Sequence, residues 1–403
     1  MKIIKKDGTV EGWNGEKIKE AVYKAAARVN QYVEPDVLNK LVEKVHSCLI
    51  IDRDAPTKDL HKEVIHYLKY FGLTDIANSY QEYRDYKNTY AKSFEKVKDE
   101  ADNVLLLGDR ENANFDSSLV STKGSLIKGY LTKELYRQFY LSKEEKELTK
   151  RGDIYIHDMR DMLMGSVNCC LFDIGNVLRG GFSMSNVDYT EPTSVLSALQ
   201  VIGDITLVAT AQQFGGFSLS QLDMVLLPYC HKTLEKAYEH AKHSFPNEGR
   251  FAWIAYSEDT LKNELKQGFQ SLELKLNTVP CSRGDFAFTT ISFGCWNAPQ
   301  WLGRYLTNKD LWILKEICEA ILTTRMNGHG ENHKPVVFPK LVYLYEENYL
   351  SAFQEARDVF ELAIECSSKC MYPDFLSLTG DWAHSSVGKQ YMENKQVVTP
   401  MGA

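Results

Sequence analysis

The sequence has no Cys-x-x-Cys pair, no long apolar run and no surplus of positive charge. Its nine cysteines are scattered over 403 residues, an odd number with neither a zinc nor a disulfide spacing. In a chain of this size that implies reduced thiols and a cytoplasmic setting, with one or two thiols free for chemistry. No stretch approaches the roughly 18 apolar residues that a spanning helix needs, so no membrane partner is expected. The opening Met1-Lys2-Ile3-Ile4-Lys5-Lys6-Asp7 lacks the apolar core of a secretory leader. A formal net charge of −7 argues against direct nucleic-acid binding, while leaving room for a local basic pocket.

What is present suits a soluble globular protein: 44% hydrophobic and 25% charged residues. The length implies two or three domains. Three segments separate on pattern: 1–95, a charged and polar connection at 96–150, and 151–403. In the first, Lys2 to Lys5 and Thr9 to Trp13 flank an Asp7-Gly8 turn signal and predict a hairpin. Asn14 is a natural cap for a helix carrying Ile18, Val22, Ala25 and Val29. Three more helices follow: one through Val37 to Leu49, one from Thr57 to Gly72, and a Tyr-rich one over 75–96. The connection contains a loop-like stretch, Asn112 to Ser125. Beyond it, Ile154–Ile156, Asn168–Ile174, Phe286–Phe293 and Val336–Tyr345 look like strands, with helices near 193–213, 221–243, 256–270, 308–323 and 350–368. Strands separated by helices predict an α/β domain with parallel pairing.

The hairpin and first helix offer Lys5, Lys6 and Lys17 with Glu11 and Asn14 between them. The third helix offers Thr57 and, one turn on, His61; Lys87 lies late in the fourth. Cations beside a helix start suit a triphosphate, although the same residues could form a plain solvated face. Lys5-Lys6-Asp7-Gly8, Asn14-x-x-Lys17-Ile18, Pro56-Thr57-x-x-Leu60-His61 and Ala77-x-x-Tyr80-x-x-Tyr83-Arg84 together resemble the ATP-cone domain, with Lys6 where that family usually has Arg. The resemblance implies a four-helix allosteric sensor of ATP and dATP, with Mg2+ accompanying the nucleotide. It assigns nucleotide contacts to Lys5, Lys6, Glu11, Asn14, Lys17, Thr57 and His61, and more loosely to Lys87.

In the larger segment, Gly152-Asp153-Ile154-Tyr155-Ile156-His157-Asp158 precedes Asn168-Cys169-Cys170-Leu171. A thiol beside an Asn can be a redox group or simply a small buried hydrophobe. Gly215-Gly216-Phe217-Ser218 stands where a helix ends, either letting backbone approach a ligand or merely turning the chain. Phe288-Thr289-Thr290-Ile291-Ser292-Phe293-Gly294 and Phe338-Pro339-Lys340-Leu341-Val342 follow in order. Together these motifs resemble anaerobic ribonucleoside-triphosphate reductase. The resemblance implies part of a ten-stranded α/β barrel, a ribonucleoside triphosphate substrate, a homodimer, and activation by a radical-SAM iron–sulfur enzyme. Formate or a protein dithiol would be the reductant. Asn168, Gly215, Gly216 and Ser218 become substrate contacts, and Cys169 the reducing strand thiol, with Cys170 the competing choice.

The family's hydrogen-abstracting cysteine follows Pro-Met-Gly, and here Pro400-Met401-Gly402 leads to Ala403. An alanine methyl cannot carry a thiyl radical. The family's glycyl radical and zinc cysteines belong to a later part of the sequence, so the expectation is a truncated reductase without activity of its own. The competing expectation is a non-enzymatic ATP/dATP sensor. Cys366 and Cys370, one helical turn apart, and His329 and His333 are taken as structural rather than as metal ligands.

Overall fold

Lys2–Ile4 (β1) and Val10–Gly12 (β2) pair antiparallel in the computed structural model of the chain, with Ile3 opposite Glu11. Gly8 in their connection has φ 80°, a backbone that side chains rarely adopt. The structure describes residues 2–5, 8–49, 55–106, 116, 118–165, 167–184, 186–213, 215–281, 284–298 and 302–378. It divides into two units, Met1–Asp99 and Glu100–Ala403.

In the first unit, Gly15–Arg28 (α1) is capped by Asn14, whose Oδ1 accepts from Glu16 N at 3.0 Å. Pro35–Leu49 (α2) follows, then Ala55–Pro56 (β3), which runs parallel to β1. Thr57–Tyr70 (α3) stops two residues before Gly72, whose φ of 77° ends the helix. Thr74–Leu106 (α4) is a single long helix, of which the residues to Asp99 belong to this unit. Val22, Leu41, Val45, Val64, Leu68 and Ile76, one helical face each, form the buried core.

The second unit begins with Val120–Phe139 (α5) and Lys143–Arg151 (α6). Then come Cys170–Phe172 (β4), Ile174–Leu178 (α7), and a hairpin of Phe182–Met184 (β5) with Val187–Tyr189 (β6). Val195–Thr210 (α8), Phe217–Leu219 (β7), Leu222–Ser244 (α9), Arg250–Thr278 (α10) and Thr289–Phe293 (β8) continue the chain. Asn308–Asn327 (α11), Lys340–Tyr345 (β9), Glu347–Ala352 (α12), Gln354–Cys370 (α13) and Asp374–Ser377 (β10) complete it. Five strands make one parallel sheet in the order β10-β9-β8-β7-β4. The domain is therefore α/β with a parallel sheet. All five residues of β8 are buried, which suits its central place and its lack of polar alternation.

Several expectations change. Ile154–Ile156 is no strand: it pairs with no described strand, and Tyr155 is 83% exposed. The loop expected to run to Ser125 gives way to α5 at Val120. Ser, Thr and Gly are weak helix formers, and tertiary contact decides the matter. Thr122 is buried, and its hydroxyl donates to Gly284 O at 2.5 Å. Strands β3, β5, β6, β7 and β10 are too short for periodicity to announce. Among the described residues no helix is long and apolar enough to cross a membrane.

Candidate functional site

On the first unit, residues of α1, α3 and α4 line a cavity of about 520 Å³. Lys17, Thr57, His61 and Lys87, all expected from sequence, are in its wall. Lys5, Glu11 and Asn14 are not. Glu11 ties Lys5, at 2.6 Å, to Lys17 just outside the lining, and Asn14 is occupied as the α1 cap. Lys6 lies outside the described residues. Thr57 donates its hydroxyl proton to Ile4 O at 2.8 Å, which fastens α3 to the hairpin. His61 Nδ1 stands 2.6 Å from the Tyr80 hydroxyl.

Sequence reasoning missed the rest of the wall. Lys24 and Arg28 extend the Lys17 face of α1 by two and three turns, and Tyr80 and Arg84 precede the expected Lys87 at helical spacing on α4. Continuing those spacings would have found them. The Arg28 guanidinium lies 4.1 Å from the Tyr83 ring centre and the Lys87 ammonium 5.0 Å. Arg84 has no hydrogen bond or ion pair among the described residues, and burial lowers its pKa, with Asp85 opposing. Lysine and arginine charges converge here beside one paired carboxylate, Glu20, bonded to Lys24. Such a wall suits a polyanion.

On the second unit, the expected Asn168, Cys169, Cys170, Gly215 and Gly216 meet at the amino ends of β4 and β7. Gly215 N donates to Asn168 O at 2.6 Å, and Cys170 N donates to Gly216 O at 3.1 Å. The Cys169 thiol donates to Asn168 Oδ1 at 3.3 Å and accepts from Gly216 N at 3.1 Å, so both its proton and a lone pair are oriented. A Cβ on Gly215 would lie 2.5 Å from that sulfur. The close approach that this glycine permits is to the chain's own Asn168–Cys169 turn. Cys170 donates to Gln213 Oε1 at 2.9 Å, and Gln213 Nε2 holds the carbonyls of Gly215 and Gly216 at 3.1 and 2.7 Å. Burial, then the neighbouring Cys169, raises the Cys170 pKa.

Register separates the two thiols. Cys170 and Phe172 pair with Phe217 and Leu219, while Leu171 pairs with Ser218, and Ser218 with Thr290. Neighbouring residues face opposite sides of a strand. Cys169, one residue before β4, thus alternates with Cys170 towards the side of Leu171, Ser218 and Thr290. Ser218 and Thr290 are fully buried, and Thr290 Oγ1 has no hydrogen-bond partner among the described residues. Behind the turn, Ser121, Gly124, Lys128, Arg160, Gln213 and Asp285 help to line a cavity of about 580 Å³. Ala403 lies outside the described residues. Among the described residues no group of three metal-ligating side chains assembles; Cys366 is buried in α13, and His329 Nε2 is 3.0 Å from Glu273.

Residues 111–403 match the family model for anaerobic ribonucleoside-triphosphate reductase, and residues 1–89 match that for the ATP cone domain. The chain is similar to the anaerobic ribonucleoside-triphosphate reductase of Haemophilus influenzae, with 30% identity over 93% of this chain and 52% of that one. The enzyme of the same name from Enterobacteria phage T4 is 31% identical over 72% of this chain and 44% of its own. A solved anaerobic ribonucleotide reductase from Thermotoga maritima, in complex with dATP and CTP, is 16% identical with a TM-score of 0.48, covering 74% of this chain and 50% of that one. The chain spans about half the length of the curated relatives it matches.

Proposed function

We infer that this chain, which belongs to the anaerobic ribonucleoside-triphosphate reductase family, joins a nucleotide sensor to the front part of the barrel in which a ribose 2′-hydroxyl is removed. Residues 1–95 act as an ATP cone for ATP or dATP with Mg2+, 96–150 as a helical connection, and 151–403 as the leading part of a ten-stranded barrel. The net reaction replaces the hydroxyl by hydrogen with loss of water, two electrons coming from formate or a protein dithiol.

The observation that carries this reading is the oriented Cys169 thiol beside Gly216, on the side of the buried Ser218 and Thr290 hydroxyls. Cys169 is assigned the reducing role, with Cys170, turned to Gln213, the weaker choice. Asn168, Gly215, Gly216 and Ser218 shape the substrate side, and the Thr290 hydroxyl, without a hydrogen-bond partner among the described residues, suits a sugar oxygen. Lys5, Lys6, Glu11, Asn14, Lys17, Thr57, His61 and Lys87 serve the effector. Ala403, where the family has its hydrogen-abstracting thiol, lies outside the described residues, and the resemblance assigns the glycyl radical and zinc to a later part of the sequence. Turnover is therefore assigned to a cytoplasmic homodimer that includes the sequence its longer relatives carry in addition, switched on by a radical-SAM iron–sulfur activating enzyme.

Anaerobic reconstitution with that additional sequence from a relative, plus activating enzyme, should form deoxynucleotide, and Cys169→Ala should abolish it. Normal turnover with Cys169 and Cys170 both replaced would sink the assignment. The second reading, a non-enzymatic sensor, draws on the cationic cavity alone. It predicts ATP binding without binding of a ribonucleoside triphosphate at the thiol turn.

A further inference from the structure

Tyr80 and His61 share one short contact in the first unit's cavity, and its direction decides what His61 can offer a ligand. The Tyr80 hydroxyl and His61 Nδ1 are 2.6 Å apart, with ring centres at 5.7 Å. Tyr80 is 5% exposed, and His61 is the sole hydrogen-bond partner found for its hydroxyl among the described residues. Two arrangements fit that distance. If Nδ1–H donated to the phenol oxygen, the phenol proton would be buried without an acceptor. If the phenol donates to Nδ1, the buried phenol proton has its acceptor and the ring proton sits on Nε2, the nitrogen left for the cavity. An unmet buried donor is the costlier outcome.

We propose that Tyr80 is a positioning residue for nucleotide recognition: its hydroxyl donates to His61 Nδ1, so that the neutral ring carries its proton on Nε2 and presents a fixed N–H donor to the cavity. This rests on the nucleotide-sensing reading of that cavity. Burial pushes the Tyr80 phenol above its ordinary pKa, so the hydroxyl keeps the proton that it donates. His61 lines the cavity one helical turn after Thr57. With Nδ1 taken, Nε2 is the ring nitrogen left for a ligand, and no described residue bonds to it. The other polar groups of this wall are largely cations: Lys17, Lys24, Arg28, Arg84 and Lys87. Those attract any anion, whereas an uncharged N–H of fixed direction selects for an acceptor oxygen in one place. The ligand class is thus a nucleoside triphosphate whose sugar or phosphate oxygen meets Nε2–H.

The full chain, with 15N in its histidine rings, gives the tautomer directly from long-range 1H–15N spectra without nucleotide, His61 being assigned by loss of its signals in His61→Gln. The expected pattern is Nε2–H in the parent and a mixture or Nδ1–H in Tyr80→Phe, which keeps the ring and its packing. Titration with ATP should show Tyr80→Phe weakened by about 3- to 10-fold, the size of one ordinary hydrogen bond. His61→Gln should weaken at least as much, and the double variant no more than His61→Gln alone. An Nδ1–H tautomer in the parent, or losses that multiply in the double variant, would overturn the proposal. A parent that binds no ATP would overturn the recognition role together with the nucleotide reading. The spectra, recorded without ligand, judge the hold of Tyr80 on His61 separately.

Discussion

Replacing Gly215 by Ala should unseat the Cys169 turn. The added Cβ would stand 2.5 Å from Cys169 Sγ and 2.6 Å from Asn168 O, and it would also collide with Asn168 Oδ1. Non-bonded heavy atoms settle at about 3.5–4.0 Å, so each neighbour must retreat by roughly 1 Å. The side chains of Asn168 and Cys169 can rotate. The Asn168 carbonyl cannot easily move, because it accepts from Gly215 N at 2.6 Å. Overpacking of this kind costs about 1–3 kcal/mol, and backbone involvement puts the expectation in the upper half of that range. Urea titration should show a lower midpoint. Alkylation with iodoacetamide, followed by peptide mass, should show a changed ratio of Cys169 to Cys170 labelling, since the shift breaks the Gly216 N–H contact to sulfur. Gly124→Ala is the control: nothing lies within 4 Å of its added Cβ, inside α5. It should be neutral, or stabilise by about 0.5–1 kcal/mol. A Gly215→Ala chain with the parent's midpoint and alkylation ratio would refute the steric argument.

Asp223 is fully buried, and its carboxylate accepts from Met224 N at 2.9 Å, Gly294 N at 2.8 Å and Cys295 N at 3.0 Å. Burial, opposed by those hydrogen bonds, pushes its pKa up to about 6. A raised folded pKa gives stability that is present below the unfolded value near 3.9 and is lost as pH rises through about 6, on the order of 3 kcal/mol. Asp223→Asn cannot ionise, so its stability deficit in denaturation should be larger at pH 4 than at pH 7.5; a pH-independent deficit would contradict this. Glu273→Gln should destabilise by about 3–5 kcal/mol, because Arg325, 1% exposed and 2.8 Å from Glu273, would keep a buried charge without its partner. Calorimetric melting checks it, and a loss below about 1 kcal/mol would count against the pair. Arg84→Gln should weaken ATP binding roughly tenfold, as expected for one charge-assisted hydrogen bond, while leaving the melting temperature within a degree or two. Unchanged affinity by calorimetric titration would remove Arg84 from the site.

Local information determined much of this protein. The spacing of Ile18, Val22 and Ala25 behind Asn14 fixes α1, because a helix needs only a cap and one apolar face. The ordered motifs around Asn168, Gly215, Thr290 and Phe338 carry the family, which the matches over residues 1–89 and 111–403 then show. Tertiary structure decided what depends on residues far apart in sequence. Val120–Ser125 is helical because Thr122 meets Gly284, and the Ile154–Ile156 triplet, although apolar, has no described strand to pair with. Gly215 must be glycine because Asn168 and Cys169 pack against it from more than forty residues away. Likewise His61 of α3 shares one wall with Tyr80 and Arg84 of α4 only because both helices close on a common core. Periodicity reports which face of an element is buried; it carries no record of which neighbour buries it, and the site is made of those neighbours.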